Sequence, residues 1–139
     1  MRREAKCACG QVTAKVSGEP YAVVMCHCRA CQRRSGSPYG VSAYFLRDQV
    51  ELSGTTKAFV RPGASGTDLQ NYFCPDCGTT VYWLTELHAD GMGIAYGLFE
   101  DATLSAPGRS VWETSRHDWV PVAAETRYLM GSAGPKVPS

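Results

Sequence analysis

The stretch Asn71-Tyr72-Phe73-Cys74-Pro75-Asp76-Cys77-Gly78-Thr79-Thr80-Val81-Tyr82-Trp83-Leu84 reads as two strand-forming runs joined by a cysteine turn. Aromatic and β-branched residues on both sides suit a pleated surface, and Pro75 and Gly78 punctuate the turn between them. Two thiols separated by two residues can face one metal ion across a tight turn. Gly78 tolerates the positive φ that brings backbone N–H groups close to the sulfurs. The result is a hairpin stapled by a zinc knuckle. It supplies only two ligands, whereas a tetrahedral structural zinc needs four.

Working outward from that turn, the other two come most naturally from Cys7-Ala8-Cys9-Gly10, a second cysteine pair followed by glycine. Cys7, Cys9, Cys74 and Cys77 would then close one site and clamp the first and middle hairpins together. Cys26-His27-Cys28-Arg29-Ala30-Cys31 remains, placing three sulfurs within six residues. Three protein ligands with the fourth position open is the arrangement of catalytic zinc. Two other readings of this segment stand beside it. His27 can complete a second closed site, or Cys28 and Cys31 can form a redox pair at the start of a helix. The expected cofactor is therefore zinc, two ions per chain, one structural and one in an open site. Seven cysteines are an odd number for a disulfide framework, and clustered thiols in a reducing compartment are better read as metal ligands.

The rest of the chain is rich in strand signals. Residues 11–16 alternate, with Val12, Ala14 and Val16 on one face and Gln11, Thr13 and Lys15 on the other. Residues 21–25, 41–52, 56–60, 92–99 and 110–112 are further strand candidates, with a turn at Ser53-Gly54 and a loop over 61–68. Only 84–89 and 123–129 offer a turn or two of helix. The fold class expected is mainly β, built of small zinc-stapled antiparallel sheets with little helix. A length of 139 residues suits one domain, expected over 1–130, with 131–139 as a flexible tail. The charged opening Met1-Arg2-Arg3-Glu4-Ala5-Lys6 has no apolar run of the kind a secretory signal needs, so the expected location is cytoplasmic. A net charge of +1 argues against nucleic acid as a partner, and no apolar stretch is long enough to cross a membrane.

The cysteine pattern resembles the glutathione-dependent formaldehyde-activating family, which includes the centromere-protein-V domain. The likeness rests on Cys7-Ala8-Cys9-Gly10-Gln11-Val12, on Cys26-His27-Cys28-Arg29-Ala30-Cys31-Gln32-Arg33-Arg34-Ser35-Gly36-Ser37, and on Phe73-Cys74-Pro75-Asp76-Cys77-Gly78. It extends through Ser115 to Trp119-Val120-Pro121. The family often carries a histidine before this tryptophan segment, where the present chain reads Gly108-Arg109-Ser110-Val111. The resemblance implies a β-tent scaffold, a closed four-cysteine zinc, and a three-cysteine zinc near a glutathione or substrate site.

Ligand chemistry points the same way. Three thiolates give Zn(II) a formal charge of −1, so it polarises water weakly and prefers sulfur as its fourth ligand. A thiol drawn there loses its proton more readily and becomes a nucleophile. The function expected is that of a carbon–sulfur lyase or thiol-adduct-forming enzyme, acting on a small glutathione-like thiol and a small carbonyl compound. The alternative is a non-catalytic zinc module for a protein or thiol ligand. Residues 20–47 contain no Asp or Glu but include Arg29, Arg33, Arg34 and Arg47. Arginine is suited to the carboxylates of such a substrate, so Arg33, Arg34, Ser35 and Gly36 are its expected contacts. The expected partner is a small-molecule thiol, and a homodimer is allowed for. His88 and His117 read as surface or loop residues, and Trp83, Trp112 and Trp119 as core.

Overall fold

The computed structural model describes residues 1–63 and 66–138. The chain is mainly β, with eleven strands and one short α-helix among the described residues. It parts into two compact units, one of residues 1–21 and 43–104, the other of residues 22–42 and 105–139.

The first unit contains a three-stranded antiparallel sheet in the order β1 (Arg2–Lys6), β2 (Thr13–Ser17), β5 (Val50–Ser53). Its inward residues are the alternating ones: Ala14 and Val16 from β2, and Arg3 and Ala5 from β1, are buried. The strand β1 is absent from the sequence reading because its inward residue is an arginine. Arg3 is accommodated by charge pairing: Nε donates to Asp101 Oδ2 at 2.8 Å, and both terminal nitrogens donate to Glu19 at 3.2 Å. A charge that deep is tolerated only with such partners.

An antiparallel meander follows in the same unit: β6 (Lys57–Pro62), β7 (Asp68–Phe73), β8 (Thr80–Thr85) and β9 (Gly91–Ala95). The expected knuckle hairpin is β7 and β8, with Tyr72 opposite Tyr82 and a register shift at Tyr72/Phe73. Arg61, Pro62 and Asp68 of the expected loop belong to strands, and Ala64 and Ser65 lie outside the described residues. Strand 41–52 is broken by a 3₁₀ turn at Arg47–Gln49 into β4 (Gly40–Leu46) and β5, because the side chain of Gln49 accepts from Leu46 N–H. The core joins Val12, Ala14, Val16, Phe45, Val81, Met92, Ile94 and Phe99 with the cysteines Cys7 and Cys74. Gly54 has φ +99°, and a Cβ there would lie 2.1 Å from Gln11 O, so the turn between β5 and β6 requires glycine.

The second unit is organised around β3 (Ala22–Cys26) and β10 (Arg109–Val111), which pair in parallel, with β11 (Thr126–Arg127) parallel to β10 on its other side. These parallel pairs stand beside the expected antiparallel ones. Residues 126–127 form a strand where 123–129 offered helix, since Thr126 N–H and Tyr128 N–H donate to Gly108 O and Ser110 O. The one α-helix, α1 (Arg29–Ser35), begins directly at the second cysteine motif and is ended by Gly36 in the left-handed conformation, φ +69°. Of the residues expected to form a loose tail, Val137 N–H donates to Arg127 O, and Leu129 N–H donates to Pro135 O. Ser139 lies outside the described residues.

Candidate metal centres

Each unit carries one sulfur cluster. In the first, the Sγ atoms of Cys7, Cys9, Cys74 and Cys77 all lie within 4.8 Å of one another. Cys7 follows β1, and Cys74 follows β7, so two strand ends supply the buried pair, while Cys9 is exposed. The loops are shaped to serve the sulfurs. Gly10 and Gly78 both have positive φ, +83° and +78°. Val12 N–H donates to Cys7 Sγ at 3.3 Å, Gln11 Nε2 to Cys74 Sγ at 3.1 Å, and Thr79 Oγ1 lies 3.3 Å from Cys77 Sγ.

Such donors stabilise thiolate over thiol. The Thr79 hydroxyl and backbone N–H hold the Cys77 thiol down at about 5. Cys9 is pushed up to about 12: the Gln11 N–H favours its thiolate, but desolvation and the neighbouring Cys74, Cys7 and Cys77 sulfurs outweigh that. Four sulfurs this close repel one another as anions, and a cation at their centre removes the conflict. The donor set therefore fits a metal ion with thiolate preference. Gln11 is the residue the sequence reading missed. Its Oε1 accepts from Thr55 N–H while Nε2 reaches Cys74, tying the first cysteine loop to the third.

The second cluster consists of Cys26, Cys28 and Cys31, whose sulfurs also lie within 4.8 Å of one another and are all half-buried. Cys26 ends β3, Cys28 is the N-cap of α1, and Cys31 lies in its first turn, its N–H donating to Cys28 Sγ at 3.3 Å. Crowding by the Cys28 and Cys31 sulfurs raises the Cys26 thiol far above the ordinary range. Cys31 rises to about 11: Cys26 lowers it, while Cys28 and burial raise it more. None of the seven cysteines is joined in a disulfide.

His27 does not join this group. It is fully buried, with Nε2 3.0 Å from Ser110 Oγ and its ring 6.0 Å from Tyr39, while Nδ1 is without a hydrogen-bond partner. A helix does start at the motif, as the redox reading required, but it is only seven residues long and packs three sulfurs together rather than two.

Of the residues expected to contact substrate, Arg33 is exposed, and Arg34 turns inward beside Cys31. A Cβ on Gly40 would meet the Arg34 guanidinium at 2.6 Å and Cys31 Cβ at 3.3 Å, and the Arg34 charge acts to lower the Cys31 thiol. Ser35 and Gly36 terminate the helix: Ser35 Oγ donates to Cys31 O at 2.8 Å, and Gly36 N–H donates to Gln32 O.

The second unit also holds a polar scaffold with little signature in the sequence. Buried Glu113 accepts from Arg127 and pairs with Arg116 at 3.3 Å. The Arg127 hydrogen bonds hold its carboxyl below the ordinary range. Preceding it, Trp112 adopts φ +57°, a strained conformation for a bulky residue. Arg116 in turn donates to the carbonyls of His117, Asp118 and Val120. That pins a loop on which Trp119 is 71% exposed, contrary to the core position expected for it. His88 sits in the first unit stacked on Tyr44, with ring centroids 4.3 Å apart.

Comparison with known proteins agrees with this picture. The crystal structure of a Rhodobacter sphaeroides protein matches with a TM-score of 0.56 at 18% identity, covering 72% of this chain and 90% of that one. At that identity it speaks for the fold. The model of the family described as glutathione-dependent formaldehyde-activating enzyme matches residues 2–115, a span that contains both sulfur clusters and α1. The chain belongs to the glutathione-dependent formaldehyde-activating enzyme family.

Proposed function

We propose that the protein is a zinc enzyme that makes or breaks the carbon–sulfur bond between a small glutathione-like thiol and a small carbonyl compound. Cys7, Cys9, Cys74 and Cys77 hold a structural ion in this reading, and Cys26, Cys28 and Cys31 hold the ion of the open site. The observation that carries the reading is the second cluster. It gathers three half-buried sulfurs, and the one histidine within the motif is drawn away to Ser110. Among the described residues no fourth Cys, His, Asp or Glu completes that group.

Zinc held there supplies a soft Lewis acid that lowers the pKa of a thiol. The chain's own residues do the rest. Arg34, beside Cys31, offsets the negative charge of the three thiolates. Arg33, exposed on the same helix, receives a carboxylate of the thiol substrate. Ser35 and Gly36 serve the site by ending α1, which fixes where both arginines project. A reducing, cytoplasmic setting keeps the seven cysteines out of disulfides and able to hold metal.

Cys28→Ala provides the test. The folded variant is expected to keep one zinc and lose both the second ion and glutathione binding measured by calorimetry. Unfolding of the variant, or undiminished glutathione binding, would contradict the proposal.

A further inference from the structure

The reaction needs a group that takes the thiol proton and returns one to the carbonyl oxygen, and the cysteines cannot do this. Three candidates lie in the second unit, which also holds the tripod. Glu113 is committed to Arg127 and Arg116. His27 is sealed from solvent, with Nε2 on Ser110. His117 differs from both, because it is exposed and only one of its ring nitrogens is engaged.

The engaged nitrogen is fixed by Gln32, the residue next to Cys31. Gln32 is 8% exposed, and its amide uses all four of its hydrogen-bonding capacities. Nε2 lies 2.9 Å from His27 O and 3.2 Å from Ser115 O, both carbonyls, so this atom must be the NH₂ donor. Oε1 therefore faces Arg29 NH1 and His117 Nε2, each at 3.0 Å, and accepts from both. It follows that His117 carries its proton on Nε2, so that the neutral ring presents Nδ1 as a lone pair. Among the described residues Nδ1 has no hydrogen-bond partner. The same amide that sets the tautomer grips His27 O, the carbonyl of the peptide leading into Cys28. The imidazole is thus two hydrogen bonds from the backbone of the sulfur cluster.

We propose that His117 Nδ1 is the proton-transfer group of the thiol–carbonyl reaction and that Gln32 is its positioning residue. This rests on the proposed function above. In the adduct-forming direction the S–H proton passes to Nδ1, the sulfur electron pair forms the S–C bond, and the carbonyl π pair moves onto oxygen. The imidazolium then returns the proton to that oxygen. One S–H and one C–O π bond are exchanged for one S–C and one O–H bond, with no oxidant or reductant. The reverse sequence releases thiol and carbonyl.

Two measurements on the zinc-replete full chain test this. Nitrogen-15 NMR of the imidazoles reads the tautomer without any substrate: protonated Nε2 at His117 is expected, lost or mixed in Gln32→Met, and protonated Nδ1 in the wild type overturns the assignment. Exchange NMR of glutathione with formaldehyde reads the reaction. His117→Ala and His117→Gln are expected to keep both zinc ions and the melting temperature while slowing exchange about 100-fold or more. Wild-type acceleration retained in His117→Ala overturns the role of His117 and leaves the proposed function standing. No acceleration by the wild type overturns both.

Discussion

At the scale of single residues, the cysteines divide into two kinds of environment. Around Cys7, Cys74 and Cys77 every sulfur has a donor from the chain, and the Gln11 amide bridges two loops through Cys74. Replacing Gln11 by Leu is expected to leave Cys74 as a ligand but weaken metal retention about 10-fold or more, as second-layer substitutions do; competition with a chromophoric chelator reads this. Cys77→Ser is expected to prevent folding, because the structural ion contributes on the order of 10 kcal/mol in such sites. Circular dichroism checks the outcome, and a native spectrum would count against a structural role. The two sulfur groups were readable from spacing, since cysteines separated by one or two residues can turn their sulfurs toward a common point. Gln11 and Gln32 were not readable, although each lies within two residues of a cysteine. Glutamine on a single sequence carries no sign of whether its amide is solvated or spans two segments.

At the scale of elements, the strands with apolar alternation were legible and those with buried charge were not. The hairpin β7–β8 follows from its aromatic and β-branched runs, whereas β1 hides behind Arg3, whose burial becomes intelligible only once Glu19 and Asp101 meet it. Helix α1 escaped notice because it is short and its cap is a cysteine rather than Ser, Thr, Asp or Asn. Strand β10 falls where 110–112 was expected, but Glu113 and the Arg116 loop after it were hidden, since the organising carboxylate is one of many acidic residues in the chain. Two predictions belong here. Glu113→Gln is expected to lower stability by about 2 kcal/mol, measured by denaturant unfolding, because it leaves two arginines facing a neutral amide. The depressed Glu113 carboxyl also sets a sign for pH. Its contribution is complete above the ordinary carboxylate range and is lost as pH falls through its lower folded value. Wild type should therefore lose its margin over Glu113→Gln in acid, and a margin that grows as pH falls would contradict the pairing.

At the scale of the whole molecule, the two compact units hold one sulfur cluster each: four sulfurs in the first and three in the second. Metal removal should therefore occur in two stages. A mild chelator is expected to take the ion of the three-sulfur cluster while the fold persists, and a stronger one to take the second ion together with the tertiary structure. Calorimetric melting at each stage reads the difference. Among the described residues no helix is long and apolar enough to cross a membrane. The most direct test of the account is zinc anomalous scattering from crystals of the metal-replete protein soaked in glutathione. Two peaks per chain are predicted, one among four sulfurs and one among three, with the glutathione sulfur completing the second. A single peak, or a protein side chain in the fourth position beside Cys26, Cys28 and Cys31, would contradict it.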